Sequence, residues 1–261
     1  MFRYVMQYFV MNVCSVFKPN LFAGKVAIVT GGATGIGSAI AHELAHLGCS
    51  VVIASRDEAK LDAAAQKMNE NPSIAGKVSA LQCNIRKKEQ VENLMKTVVE
   101  QHGHLDFLIN NGGGQFPSLA ENISKKGWEA VIETNLTGTF LCCQYAFKEW
   151  MKDHGGVIVN IIADMWRGFP MMSHTGAARA GVDNLTKTLS LEWADKGIRI
   201  NSVAPGAIYS PSAAANYSDD VFGQAKKMQP TGRLGEPEEV SSIVCFLLSP
   251  AASFITGIKK I

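Results

Sequence analysis

Short apolar runs without polar alternation recur along the chain, and each is followed by a stretch with apolar residues at helical spacing. Runs of this kind are typical of parallel strands that are covered on both faces. The intervening stretches predict helices that each bury one face. The predicted strands cover residues 25–30, 50–55, 77–82, 105–110, 156–162 and 198–204. The predicted helices cover residues 38–48, 57–68, 88–100, 128–151 and 177–194.

The alternation of strand and helix predicts an α/β fold, a single-domain, doubly wound parallel sheet of the Rossmann type. We assign residues 21–261 to this domain and residues 1–20 to an N-terminal extension outside the fold. The apolar part of the extension is interrupted by Gln7 and Asn12 and falls short of the ~20 residues that span a bilayer. We therefore expect no stable membrane insertion.

Two later segments depart from the regular pattern. Residues 208–232 follow the sixth strand and are rich in polar and small side chains, which favours a lid or binding loop over an ordinary surface excursion. Residues 254–257 (FITG) lead into a final strand, but only Ile258, two lysines and Ile261 follow. We therefore expect this strand to be short and truncated.

Composition narrows the class of protein. Of the 261 residues, 47% are hydrophobic and 18% are charged, below the usual ~25% for charged residues. A large core or an oligomer interface explains this balance, and we predict a homo-oligomer. The formal net charge is +2 without a basic block, so no nucleic-acid partner is expected.

The six cysteines form neither a CxxC motif nor a cluster with histidines, so we predict no metal site. They are expected to be reduced and mostly buried.

A glycine-rich turn follows the first strand, and it suits a dinucleotide diphosphate because glycines allow close approach to backbone N–H groups at a helix start. The residues assigned to this turn are Gly31, Gly32, Ala33, Thr34, Gly35, Ile36 and Gly37.

The second strand ends at Ser55 and Arg56, where an NAD site places an acidic residue against the ribose. A guanidinium suits a 2′-phosphate instead, and Asp57 comes only at the start of the next helix. The predicted cofactor is therefore NADPH.

Further candidates follow the later strands. Glycines at 112–114 after the fourth strand, including Gly113, would let the backbone pass close to the cofactor. Asn135 interrupts a helical pattern and predicts a mid-helix bend, and we include it among the catalytic candidates. Pro205 and Gly206 end the sixth strand as a loop over the nicotinamide would require.

The motifs TGxxxGxG, NNGG, NLTG, IVNI and APG at this spacing resemble the short-chain dehydrogenase/reductase family over residues 22–257. In detail, the sequence is most similar to the peroxisomal trans-2-enoyl-CoA reductases of that family. The segments that show this similarity are VAIVTGGATGIG, NNGGGQF, HTGAARAGV and VCFLLSPAASFITG. The resemblance implies that NADPH binds to the glycine-rich turn and to Ser55, Arg56, Asn84, Ile85, Asn111, Pro205, Gly206 and Ile208.

The departures from the family pattern bear on the reaction. The family's catalytic serine, tyrosine and lysine are replaced by Ala163, Thr175 and Arg179. Reduction of a ketone needs the tyrosine as an acid, whereas reduction of an enoyl thioester needs donors for the thioester oxygen and a proton route to carbon. Ordinary ketone reduction therefore loses support.

Thr175, Arg179, Asp183 and Lys187 recur every fourth residue and predict a polar stripe on one helix. The resemblance gives Asp183 the place of a proton relay and Arg179 the lysine's place at the nicotinamide ribose. The alternative is a ladder of ion pairs with no role in catalysis. His174 is a further candidate donor or a structural histidine.

The sequence thus predicts NADPH-dependent reduction of trans-2-enoyl-CoA to saturated acyl-CoA in fatty acid metabolism. The alternatives are a 2,4-dienoyl-CoA reductase and a non-catalytic NADP-binding scaffold. The resemblance implies a peroxisomal location, although the final Lys-Lys-Ile is not a recognisable peroxisomal address.

Overall fold

Seven strands form one parallel sheet in the order β3-β2-β1-β4-β5-β6-β7, in a computed structural model that describes residues 15–165, 168–215, 217 and 219–260. The strands are β1 Val26–Thr30, β2 Ser50–Ser55, β3 Val78–Gln82, β4 Phe107–Asn110, β5 Gly156–Ile161, β6 Ile198–Val203 and β7 Lys259–Lys260. In the centre of the sheet, Ile28 pairs with Val52 on one side and with Leu108 on the other. The predicted doubly wound parallel sheet is confirmed.

Within the described ranges, ten α-helical segments connect and cover these strands. They are α1 Gly35–His46, α2 Glu58–Asn69, α3 Lys88–His102, α4 Lys125–Ile132, α5 Gly138–Ala146, α6 Lys152–His154, α7 Ser173–Glu192, α8 Pro211–Ala214, α9 Asp219–Met228 and α10 Pro237–Leu248. Two π-helical segments, Glu133–Thr137 and Phe147–Met151, join α4, α5 and α6 into one continuous helical stretch.

Alternate residues of each strand point to opposite faces, so the sheet separates two hydrophobic cores. Ala27 and Val29 of β1 pack with α1, α2 and α10 on one face. Val26 and Ile28 pack with α3, α5 and α7 on the other face. The chain changes face after β3, and the strand order reverses between β1 and β4. Ligands of open α/β sheets bind at the carboxyl ends of the strands beside such a switch point.

Three predicted elements differ from the structure. The predicted helix 128–151 begins at Lys125, after the N-cap Ser124, and contains the two π-helical segments. Helix α7 begins at Ser173 instead of residue 177, because packing against the sheet outweighs the weak helix propensity of its first turn. The segment 208–232, predicted as irregular, contains α8 and α9, and α8 has a Ser210 cap and a proline in its first turn.

The ends of the described chain lie against the domain. Ser15 Oγ donates to Glu43 over 3.0 Å, and Phe17 packs on the core, so the last residues of the predicted extension touch the fold. Residues 1–14 of that extension lie outside the described residues. At the other end, β7 is as short as predicted and pairs with Ser202 and Val203.

Five cysteines are free and buried, while Cys14 lies outside the described residues. No helix among the described residues combines the length and the apolar character that a bilayer crossing requires. Nor does that part of the chain contain a group of three or more His, Cys, Asp or Glu placed to hold a metal ion.

Candidate active site

The turn that joins β1 to α1 leaves no room for a side chain at two of its glycines. A Cβ on Gly32 would overlap Ile53, and a Cβ on Gly37 would overlap the backbone of the turn itself. Gly35 has a φ of +53°, a region that glycine enters readily. The N-cap residue Thr34 makes no side-chain capping bond, so the first N–H groups of α1 are available to an anion. The shape of the turn and its free N–H groups would suit the predicted diphosphate.

Ala33 and Ile36 of the same turn have another role. Both side chains pack against the hydrophobic core beneath α1. They anchor the turn, while its backbone faces the carboxyl edge of the sheet.

Two serines at this turn were missed by the sequence analysis. Ser210 Oγ and Ser212 Oγ lie 3.1 Å apart. A Cβ on Gly35 would come within 2.9 Å of Ser212 Oγ and 3.3 Å of Ser210 Oγ. The hydroxyls therefore meet the glycine turn where a diphosphate would lie. The sequence signal for them is the Ser-Pro-Ser helix start at residues 210–212, inside the predicted lid or binding loop.

The predicted ribose-binding residues lie at the end of β2, where Ser55 is the last residue of the strand and Arg56 follows it. Arg56 is exposed and its carbonyl oxygen accepts a 2.9 Å bond from Gln82. Asp57 accepts from the Lys60 backbone at the start of α2, and its other oxygen pairs with the Lys60 ammonium at 3.1 Å. Because the Asp57 carboxylate is engaged in this cap, Arg56 is the charged residue that we expect to contact the ribose.

Asn84 and Ile85 follow β3 at the neighbouring position. Asn84 Oδ1 accepts from the Arg86 backbone, which shapes the loop. The Ile85 side chain packs so closely on α5 that a Cβ on Gly138 would lie 2.8 Å from it.

The loop after β4 is tied to the glycine turn. The Asn111 amide donates to Thr30 O at 3.0 Å and to Gly31 O at 3.3 Å. The Thr30 hydroxyl accepts from the backbone of Asn111 and Gly112. These bonds hold the two loops side by side, on either side of the switch point between β1 and β4.

The same loop then runs over two of the predicted catalytic residues. Asn135 is 1% exposed, and its amide group makes a bond of 2.9 Å to Gly114 N and one of 3.0 Å to Gly114 O. A Cβ on Gly113 would overlap the Arg179 guanidinium. The interruption of the α-helical pattern at Asn135 takes the form of a π-helical segment, and the Asn135 amide contacts the loop.

Arg179 is a buried cation beneath this loop. It is 9% exposed, and Nη1 donates to Ile161 O at the end of β5 over 2.8 Å. Burial lowers the pKa of the guanidinium to about 10, so it remains protonated at neutral pH. Among the described residues no carboxylate forms an ion pair with it, so its charge is available to a ligand.

Asp183 and Lys187, one and two turns further along α7, form an ion pair with each other. Lys187 Nζ donates to Asp183 Oδ2 over 2.8 Å, and the Asp183 side chain is 18% exposed. Asp183 Oδ1 is buried and has no hydrogen-bond partner among the described residues. Among the described residues, Asp183 and Arg179 form no hydrogen bond with each other. The charged residues of the predicted stripe are therefore one ion pair, Asp183 with Lys187, and one separate cation, Arg179.

Ala163 and Thr175, which replace the family's catalytic serine and tyrosine, lie after the end of β5 and near the start of α7. Ala163 follows β5 and brings no hydroxyl to the site. Thr175 is 1% exposed, and its backbone N–H donates to His174 Nδ1 over 2.8 Å. The resemblance assigns the family's tyrosine to this position, and this chain has the shorter threonine there.

The turn after β6 lines a cavity of about 460 Å³, with Pro205, Gly206 and Ile208 in its wall. Gly235 N donates to Ala207 O, and Tyr209 N donates to Gly235 O, both over 2.9 Å. These bonds join the start of the segment predicted as a lid, residues 208–232, to Gly235 just beyond its end.

A sheet of this order with a glycine-rich turn after its first strand defines a doubly wound, nucleotide-binding protein. The family model described as "Enoyl-(Acyl carrier protein) reductase" matches residues 31–260. The chain belongs to the short-chain dehydrogenase/reductase family of oxidoreductases, as its motifs predicted, and its site fits a nicotinamide cofactor.

Three curated relatives cover most of this chain. A probable 2,4-dienoyl-CoA reductase [(2E)-enoyl-CoA-producing] of Bacillus subtilis (strain 168) is 39% identical and aligns over 89% of this chain and 92% of its own. A peroxisomal 2,4-dienoyl-CoA reductase [(3E)-enoyl-CoA-producing] of Danio rerio is 34% identical, over 93% and 81%. A cyclohexanol dehydrogenase of Acinetobacter sp. (strain SE19) is 41% identical, over 91% and 93%.

Solved structures give the same fold. The citronellol catabolism dehydrogenase AtuB of Pseudomonas aeruginosa PAO1 has a TM-score of 0.84 at 43% identity and covers 94% of this chain and 96% of its own. A single-site variant of actinorhodin polyketide ketoreductase, solved with NADPH, also has a TM-score of 0.84, at 30% identity over 93% and 97%.

Proposed function

We propose that this chain uses NADPH to reduce a carbon–carbon double bond conjugated to an acyl-CoA thioester. The observation that carries the proposal is Thr175 in place of the family's tyrosine, close to the buried cation of Arg179. Reduction of a ketone needs an acid for the alkoxide oxygen, and that acid is missing here. Reduction of the conjugated double bond needs positive charge or donors near the thioester oxygen, which a buried guanidinium supplies.

When bound, NADPH would supply the hydride, and one proton from water completes the reduced product for each nicotinamide oxidised. We keep Arg179 in the lysine's place at the nicotinamide ribose, where its charge also offsets the negative charge that develops on the thioester. Asn135 fixes the loop at Gly114, which keeps the neighbouring Gly113 against the guanidinium. We assign Asp183 and Lys187 to the proton route, and the unpartnered oxygen of Asp183 supports this assignment.

The preference for NADPH over NADH rests on Ser55 and Arg56. The only acidic side chain between β2 and α2 is Asp57, which caps that helix. A ribose with a free 2′-hydroxyl has no carboxylate partner here, whereas a 2′-phosphate meets a guanidinium.

Two candidate substrates contain such a conjugated double bond. The names of the Bacillus subtilis and Danio rerio relatives favour a 2,4-dienoyl-CoA, and we place this substrate first. The sequence motifs favoured a trans-2-enoyl-CoA, which we keep as the second candidate. Both reactions move charge onto the same thioester oxygen, so the site residues keep their roles in either case.

The test is the loss of NADPH absorbance with purified chain and a panel of substrates. The panel contains a 2,4-dienoyl-CoA, a trans-2-enoyl-CoA and a ketone. A separate assay with NADP⁺ and cyclohexanol, which the Acinetobacter relative's name suggests, measures the gain of NADPH absorbance instead. We expect turnover of at least one conjugated thioester and none of the ketone or alcohol. Turnover of the ketone or alcohol alone would make the chain a carbonyl reductase or alcohol dehydrogenase. Tight NADPH binding without any turnover would make it a scaffold.

The proposed reaction also bears on the partner, the metabolic role and the cellular location of the chain. We propose an acyl-CoA partner, a homo-oligomeric assembly and a role in fatty acid metabolism. A peroxisomal location is supported by the name of the Danio rerio relative, while the Bacillus subtilis relative is bacterial.

A further inference from the structure

His174, at the start of α7, is a buried imidazole with one unused nitrogen. The residue is 0% exposed, and Nε2 has no hydrogen-bond partner among the described residues. Polar atoms buried in this way are rare in native proteins, because each loses its bonds to water without replacing them. An unpartnered nitrogen beside a catalytic site is therefore a candidate for contact with a ligand.

The bonds of the other nitrogen fix the tautomer. Nδ1 lies 2.8 Å from the backbone nitrogen of Thr175, which donates its N–H to it. Nδ1 must therefore be the unprotonated acceptor, and the neutral imidazole carries its proton on Nε2. The unpartnered atom is thus an N–H donor.

The position of His174 connects it to the site already described. The edge of one ring meets the face of the other where His174 packs on Phe116, with ring centres 4.5 Å apart. Phe116 belongs to the loop after β4 that, three residues earlier, packs Gly113 on Arg179. The same short loop therefore covers both the guanidinium and the imidazole, and Phe116 is itself 38% exposed.

We propose that His174 donates its Nε2–H to the carbonyl oxygen of the acyl thioester, and that Phe116 turns aside to admit that oxygen. This role rests on the function proposed above. It supplies the hydrogen bond that the family's tyrosine would make and that Thr175 is too short to replace. The imidazole stays neutral throughout, and the proton that completes the product comes from water by another route.

Two substitutions separate the two nitrogens. In His174→Asn, the amide oxygen can still accept from the Thr175 backbone at the place of Nδ1, but no donor reaches the place of Nε2. In His174→Gln, the amide nitrogen can reach the place of Nε2 and donate. We expect kcat for the conjugated thioester to fall by about 10²-fold or more in His174→Asn, the usual effect of losing one such donor. His174→Gln should retain activity within about tenfold, a loss of at most ~1.4 kcal/mol.

Control variants test whether His174 has only a structural role. His42→Asn changes another buried histidine, on the far part of α1, and should leave kcat unchanged. NADPH affinity should be the same in all variants. Equal losses in His174→Asn and His174→Gln, or a loss under about threefold in His174→Asn, would overturn the proposal. A large loss in Thr175→Val with none in His174→Asn would assign the donor to the threonine hydroxyl instead.

A measurement on the unaltered chain covers the case in which both variants unfold. The imidazole N–H signal of His174 is recorded by nitrogen-15 NMR, with NADP⁺ bound, before and after addition of a saturated acyl-CoA. We expect this signal to move on addition, and an unmoved signal overturns the proposal. If the unaltered chain reduces no conjugated thioester, the proposed function fails and this role fails with it. If the chain is active and only the His174 tests fail, the proposed function stands.

Discussion

Arg179 and Asp183 lie one turn apart on α7, yet their surroundings differ. Arg179 is buried, donates to the carboxyl end of β5 and has no carboxylate partner among the described residues. Asp183 pairs through one oxygen with Lys187, as the ladder interpretation required, while its other oxygen is buried and has no partner in the same part of the chain. The spacing of the residues predicted a stripe but not this division, because the packing of neighbouring elements decides which side chain is buried.

Substitution of Asp183 distinguishes a role in proton transfer from a purely structural role in an ion pair. We expect Asp183→Ala to lower kcat by about 10²-fold or more, the usual cost of losing an acid–base group. The free energy of unfolding should fall by less than ~1 kcal/mol, as for other partly exposed pairs. Steady-state kinetics and urea unfolding measure the two effects. Glu92→Ala, which breaks the 2.6 Å pair with Lys96 on α3, is the matched control. Turnover within about twofold of the parent would leave Asp183 a structural residue.

Substitution of Arg56 tests the choice of cofactor. The unaltered chain should bind NADPH at least about tenfold more tightly than NADH, a difference of ~1.4 kcal/mol that one charge-assisted contact can supply. Arg56→Ala should remove most of this preference, and Lys67→Ala at the far end of α2 should not. Fluorescence titration of each chain with both cofactors measures the effect. Equal affinities in the unaltered chain would contradict this prediction.

At the scale of elements, the sequence predicted the six long strands within about two residues, because buried parallel strands are short apolar runs with glycine or polar residues beyond them. The poor helix propensity of asparagine also indicated an irregularity at Asn135, where the structure has a π-helical segment. It did not predict α8 and α9, because both are short and lie in a segment rich in serine, alanine and other small or polar residues. Nor did it predict Ser210 and Ser212 at the glycine turn, since that contact joins segments far apart in sequence.

The loop after β4 offers a paired test of how an element positions the site. Gly113→Ala places a methyl group on the Arg179 guanidinium, whereas a methyl group on Gly114 meets nothing within 4 Å. Since a displacement of about 1 Å can cost 10²-fold in rate, we expect Gly113→Ala to lower kcat/KM by about that factor. Gly114→Ala should stay within about threefold of the parent. Equal activity of the two variants would show that the loop does not position Arg179.

At the scale of the whole molecule, large apolar side chains remain on the surface. Leu191 on α7 is 83% exposed, and Phe254 before β7 is fully exposed. Together with the low share of charged residues, this supports the predicted homo-oligomer. Sedimentation at micromolar concentration should give a multiple of 28.1 kDa. A single species at the mass of one chain would contradict the prediction.

The destination of the hydride tests the central claim most directly. The chain is incubated with NADPH that is deuterated at both C4 positions and with a mixture of a 2,4-dienoyl-CoA, a trans-2-enoyl-CoA and a 3-ketoacyl-CoA. Mass spectrometry of the products locates the deuterium. We expect deuterium on a carbon of the former conjugated double-bond system and an unchanged ketone. Deuterium on the carbinol carbon of a 3-hydroxyacyl-CoA, with both unsaturated thioesters unchanged, would contradict it.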